Sequence, residues 1–215
     1  MIKYIREPVN SLTHFFGAIA SFVGLVFMIL KVIDVNDSLP SRLTGAIIFG
    51  LSLIFLYSAS SIYHWSKSSA NKLLMLRKFD HAMIFVLIAG TYTPICLGVL
   101  DGFLEVFVLS TVWILAIAGI FLKIFWFDCP RWLYTAFYII MGWLALTFSA
   151  PLYRTLLMPG FIWLIIGGVL YTIGGIIYAL KSPNISSKFG FHELFHIFVL
   201  LGSLSHFYLI YAFIL

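Results

Sequence analysis

The sequence predicts an all-α polytopic membrane protein, a seven-transmembrane helix bundle with its N-terminus cytoplasmic and its C-terminus outside. Three observations predict it. The first is composition: 62% of the 215 residues are hydrophobic, only 10% are charged, and the mean hydropathy is +1.08. A soluble protein carries about 25% charged residues, and a chain of this size cannot bury so much apolar surface in a core of its own. Lipid is therefore its solvent, which excludes a soluble globular domain, a disordered chain and a nucleic-acid binder. The second is that the apolar residues form continuous runs near the roughly 20 residues that cross a bilayer, without the alternation of barrel strands. The third is that basic residues gather in alternate connections, so the net charge of +5 bears on membrane orientation.

The runs, in order, cover residues 11–30, 43–63, 82–100, 104–125, 132–150, 158–180 and 194–215. The first follows a polar segment and is too long for a signal-peptide core, so it is read as a span and not as a cleaved leader. The second ends at Tyr63 and His64. The third carries glycines and Pro94, which membrane helices tolerate. The fourth lies between Asp101 and the turn that holds Lys123 and Arg131. The fifth and sixth are separated by a short link with Arg154, and the seventh follows the polar link after Leu180. Short connections make consecutive helices antiparallel neighbours. No internal repeat and no room for a second domain are apparent, so residues 1–215 form one seven-transmembrane domain. Tyr63, Trp65 and Trp132 at run ends suit interfacial anchoring.

If the chain weaves through seven times, Lys3, Arg6, Lys67, Lys72, Arg77, Lys78, Lys123, Arg131, Lys181 and Lys188 share one side. Lys31, Arg42 and Arg154 fall on the other, with Asp34, Asp37, Asp101 and Glu105. The basic side is the cytoplasmic one. Cys96 and Cys129 then lie on opposite sides, which excludes a disulfide between them, and they form no CxxC metal motif.

Ionisable residues within membrane spans are costly and therefore functional suspects. Glu7, Asn10 and His14 open the first run, His64 closes the second, Asp80 and His81 open the third, and His192, Glu193 and His196 open the seventh. Under this topology all of them fall in one layer at the cytoplasmic boundary. His192 and His196 are one helical turn apart on one face, half of a metal site. With Glu193 they match the HExxH string of zinc proteases, but a short match at the mouth of a membrane span is weak support for that chemistry. His64 is the best third ligand, and Ser60 stands one turn before it. Asp80 either binds the metal directly or holds its water. The water role is favoured, because it makes Asp80 an orienting base. His81 competes as a ligand but points about 100° from Asp80 around the helix. Glu7, Asn10 and His14 share one arc of the first helix, either as a support that orients a ligand or as a helix cap and anchor beside Pro8. His206 lies about 21 Å along the helix from His192 and is read as a packing residue. The plainer alternative for each histidine is hydrogen bonding at a wet interface.

These residues, Glu7-x-x-Asn10-x-x-x-His14, Ser60-x-x-x-His64, Asp80 and His192-x-x-x-His196 with His206 downstream, resemble the haemolysin III proteins. That family is the mostly bacterial branch of the progestin and AdipoQ receptor (PAQR) family, which includes the adiponectin receptors. The resemblance covers essentially the whole chain. It implies Zn²⁺ held by three histidines near the cytoplasmic face, mapping onto His64, His192 and His196. It further implies an aspartate linked to zinc through water, mapping onto Asp80, and a nearby serine, mapping onto Ser60. It also implies a setting in the cell membrane, in bacteria the inner membrane, and membrane lipids as partners. Only residues 1 to about 10 precede the first run, so the hormone reception of the animal receptors is not expected.

The expected function is a zinc protein that acts on or regulates membrane lipids. A zinc-dependent, ceramidase-like hydrolase of lipid amide or ester bonds is the first reading, with Asp80 and Ser60 as catalytic residues. A non-enzymatic sensor or regulator with a structural zinc, and a haemolysin-type cytolysin, are the alternatives. So few interior charges leave little material for an aqueous pore.

Overall fold

The computed structural model describes residues 5–35, 39–186 and 189–215. Lys3, Asp37 and Lys188, used in the charge argument, lie outside the described residues. Within them the chain is helical and has no strand. The helices are α1 (Pro8–Val35), α2 (Leu39–Trp65), α3 (Ala70–Val99), α4 (Gly102–Phe125), α5 (Arg131–Trp143), α6 (Ser149–Leu180) and α7 (Phe191–Phe213). A 3-10 turn, Leu144–Phe148, joins α5 to α6. Six stretches of the described residues are long and apolar enough to cross a membrane, which makes this a multi-pass membrane protein.

Helix bounds and apolar runs differ where charge and helix overlap. The third helix begins at Ala70, ahead of the apolar run that starts at residue 82. Lys72, Arg77 and Lys78 are good helix formers that can carry the helix beyond the lipid edge. Asp80 and His81 therefore sit about three turns into α3, not at its start. Pro8 opens α1 at the position where proline is favoured.

The stretch Arg131–Leu180 has the length and apolarity of a span over all its 50 residues. A straight helix of that length would extend about 75 Å, more than twice the hydrocarbon core. It is not straight. Leu157 has φ 53° and ψ −176°, outside the helical region, two residues before Pro159. On either side, the halves pair in opposite directions. Arg131 donates to the Tyr178 carbonyl at 3.2 Å, and the Trp143 indole donates to Thr172 Oγ1 at 2.8 Å. Where α5 gives way to the 3-10 turn, Tyr92 from α3 bridges the freed backbone groups. Its hydroxyl donates to the Gly142 carbonyl at 2.8 Å and accepts from the Ala145 N–H at 2.8 Å.

The central helix is α3, which touches α2, α4, α5, α6 and α7. Its buried residues run round the whole helix from Asp80 to Val99, as expected of an element enclosed on all sides. By contrast α1 and α4 present rows of exposed apolar side chains, such as Phe16, Phe22 and Phe27 on α1 and Phe103, Phe107 and Phe121 on α4. Such faces suit lipid. Close approaches tie the bundle together. A Cβ on Gly119 of α4 would lie 2.2 Å from Phe85 of α3, so only glycine admits that ring. Ser11 and Ser61 exchange hydroxyl-to-carbonyl bonds of 3.1 and 3.0 Å between α1 and α2.

The two ends of the bundle differ in charge. At one end stand His64, His192 and Asp80, with Arg6, Arg77, Lys123 and Arg131 stacked over Tyr63, Phe127, Tyr134 and Tyr178. At the other, Lys31 and Arg42 donate to the carbonyl oxygens of Tyr211 and Leu215, where α7 ends and its last carbonyls need donors.

Candidate metal centre

Two helix ends carry the centre. His64 lies in the last turn of α2, and His192 and His196 lie in the first turns of α7. Their ring centroids form a nearly equilateral triangle, with sides of 4.9, 4.9 and 4.8 Å. One nitrogen from each ring lies within 4.8 Å of the others. His64 and His196 are buried, and His64 Nε2 and His196 Nδ1 have no hydrogen-bond partner. Buried imidazole nitrogens are rarely left unpaired, so the three rings fit a metal ion that would satisfy them. Neutral histidine nitrogens suit zinc-like ions.

The first helix meets this triangle at three points. Glu7, just before α1, bonds Nδ1 of His64 through Oε2, while its Oε1 lies 3.2 Å from the Arg6 guanidinium. Burial alone would raise the Glu7 carboxyl. The His64 hydrogen bond and the Arg6 guanidinium outweigh it and hold the group down to about 2. The backbone N–H groups of Arg6 and Glu7 also donate to the Trp65 and His64 carbonyls, at 3.4 and 3.1 Å, and so close the end of α2. Asn10 donates to Glu193 Oε1 at 2.8 Å. His14 lies flat on His196, with ring centroids 3.7 Å apart and an angle of 14°. Contacts to His64 and His196 and fastening of the chain to the end of α2 occur together.

Glu193 faces away from metal chemistry. Its Oε2 accepts from the Gly190 N–H at 2.8 Å, a cap on its own helix, and Oε1 takes the Asn10 amide. The HExxH string here is a capped helix start carrying two histidines.

Asp80 is buried and stands outside the group of three ligand nitrogens, bonded to the Ser60 hydroxyl and within the field of His64. Ser60, one turn before His64, faces Asp80. His81 is not among the three. It packs near Phe127 and Tyr134 at 5.7 Å each, with Nδ1 unpartnered. His206 bonds the Leu164 carbonyl across to α6 at 3.3 Å, where a Cβ on Gly167 would come within 2.3 Å of the ring. Cys96 and Cys129 are buried free thiols.

Below the triangle a cavity of about 140 Å³ descends through the bundle, from Ser60, Asp80, His192 and His196 to Ile95 and His206. Asp80 to Ile95 spans about 22 Å along α3. Apolar side chains such as Ile84, Ile88 and Leu164 line most of it. Sequence reasoning had no handle on this cavity, because it is made where α3, α5, α6 and α7 fail to fill the space between them. A second, polar cavity of about 150 Å³ lies beside the triangle, and Arg77 and Arg131 are on its wall.

Comparison with known proteins points to one family. Residues 2–207 match the family described as "Haemolysin-III related". A "Hemolysin-3 homolog" of Bacillus subtilis is 38% identical over 209 residues, covering 97% of this chain and 94% of that one. "Hemolysin-3" of Bacillus cereus is 35% identical over 217 residues, 100% of this chain and 95% of that one. An "Adiponectin receptor protein" of Drosophila melanogaster is 26% identical over 226 residues, 94% of this chain and 49% of that protein.

Proposed function

This chain belongs to the haemolysin III family, within the wider PAQR group, and from that premise we propose that it is a zinc-dependent hydrolase of a membrane lipid acyl bond, amide or ester. The observation that carries the reading is the buried imidazole triangle opening onto an apolar cavity long enough for an acyl chain. His64, His192 and His196 would hold the ion. When bound, zinc would acidify a water and polarise a carbonyl oxygen. The protein supplies the rest. The apolar cavity takes the chain and excludes bulk water from the scissile bond. Asp80, buried at the cavity head, accepts a proton from the attacking water and returns it to the leaving nitrogen or oxygen. Ser60 is the positioning residue that holds the Asp80 carboxylate. Glu7 fixes the His64 tautomer so that Nε2 is free to ligate.

We further propose seven crossings, with the reversal at Leu157 dividing the fifth from the sixth, and the histidine end in the cytoplasm. The support is the antiparallel pairing across Leu157 and the gathering of Arg6, Arg77, Lys123 and Arg131 at that end. We extend the proposal to the inner membrane where the host is a bacterium.

The test is release of free fatty acid by zinc-loaded, detergent-purified protein from a panel of lipid amides and esters, beside Asp80→Asn. Release by the native chain alone supports the reading. No release from any class, with zinc bound in full, overturns it. In that event the second reading stands, a structural metal clip. Its support is that the triangle joins α2 to α7, helices far apart in sequence.

A further inference from the structure

The polar cavity beside the triangle is walled by Glu7, Tyr63, Arg77, His81, Arg131, Tyr178, Phe191 and His192. Its charge is unbalanced. Among the described residues, the carboxylate ion pairs of this chain are those of Glu7 with Arg6 and with His64. Arg77 and Arg131 have no carboxylate within ion-pair reach among the described residues. Arg77 lies over Phe127 at 5.2 Å, and Arg131 uses one donor on the Tyr178 carbonyl and stacks on that ring at 4.5 Å. Both forks are thus oriented by aromatic faces, with most of their N–H donors unspent. His81 is 7% exposed, its Nδ1 has no partner, and it borders this cavity and the apolar one alike. Tyr178 and His192 border both as well, so the two cavities share a wall beside the triangle.

We propose that this cavity is a phosphate-binding vestibule, in which Arg77 and Arg131 hold the phosphate of an amphiphile whose acyl chain lies in the apolar cavity. Paired guanidinium groups suit a phosphate because each offers two parallel N–H donors to its oxygens. Glu7 is on the same wall, but its charge is taken up by Arg6 and His64. The vestibule deepens the lipid reading given above and rests on it only for which bond is cut. It favours a substrate with a phosphate near its acyl linkage over a neutral one.

The experiment measures equilibrium binding to the full-length, detergent-purified chain. The probes are phosphatidylglycerol, diacylglycerol with the same acyl chains, and inorganic phosphate. Phosphatidylglycerol is expected to bind at least about tenfold tighter than diacylglycerol. Arg77→Gln and Arg131→Gln each weaken it about tenfold, and Arg77→Lys, which keeps the charge, falls between. Lys72→Gln removes an exposed cation of the same helix outside the cavity and leaves binding unchanged. The readout is lipid affinity and not turnover, so failure of the hydrolase reading does not touch this result. Displacement by inorganic phosphate assigns recognition to the oxyanion alone. Its failure to displace assigns recognition to the lipid headgroup, and either supports the vestibule. Equal binding of the two lipids, or equal loss in Lys72→Gln and the arginine variants, overturns it in favour of diffuse attraction to a basic membrane face.

Discussion

The carboxylate of Glu7 holds Nδ1 of His64, and Nε2 of the same ring is left without a protein partner. A carboxylate behind a histidine sets its tautomer and raises its basicity as a ligand, and loss of such a group typically costs 10- to 100-fold in metal affinity. Glu7→Gln should therefore weaken zinc binding by about that factor in a competition titration, with helix content unchanged. Unaltered affinity would show that the contact serves only to anchor α1.

The proposed roles of Asp80 and the metal can be told apart by experiment. Asp80→Asn should keep the full zinc content by elemental analysis while lipid hydrolysis falls by about 10²- to 10⁴-fold. Ser60→Ala, which removes the group that holds Asp80, should cost less. Loss of zinc in Asp80→Asn would make the aspartate a ligand and reverse its assigned role.

Removing the metal should loosen the bundle at one end. Three imidazole nitrogens converge there, two of them buried without partners, and a ligand that binds only the folded state stabilises it by mass action. A chelator should lower Tm by about 5 °C or more. His64→Ala should start lower and respond no further. A Tm indifferent to the chelator in the native chain would refute the centre.

Packing gives a test independent of chemistry. Gly167→Ala places a Cβ 2.3 Å from His206, while the same change at Gly168 meets Trp143 at an ordinary 3.4 Å. Overpacking typically costs about 1–3 kcal/mol, so Gly167→Ala should lower Tm and Gly168→Ala should not. Equal Tm values would mean that the α6–α7 seam is looser than described.

Glu193 is assigned to a helix cap. Glu193→Gln keeps one acceptor oxygen and should retain zinc and turnover, losing at most about 1 kcal/mol of stability. Abolished turnover with normal Tm would restore the protease-like reading of the string.

Much of the site was legible because a membrane makes polarity conspicuous. His64, His192, His196 and Asp80 stand out in apolar sequence, and helical periodicity places the last two histidines on one face. The arc of Glu7, Asn10 and His14 was visible too, but its partners were not. Only tertiary packing sets Glu7 on His64, Asn10 on Glu193 and His14 on His196. The start of α3 lies ahead of its apolar run because hydropathy marks the edge of lipid, while the helix continues through Lys72 and Arg77. Neither cavity leaves a pattern in sequence, since a void belongs to several helices at once. Arg77 and Arg131 looked like ordinary interfacial charges.

The turn of chain before α1 is fastened by its backbone to the end of α2 and by one side chain to His64. Anything grafted onto that leading segment, whether an affinity handle, a fluorescent partner or a residual linker after cleavage, acts on an imidazole through the Glu7 side chain and one hydrogen bond. Cloning strategy is thus an experimental variable in its own right, and preparations that differ only in their leading tag should be compared for zinc content before their activities are.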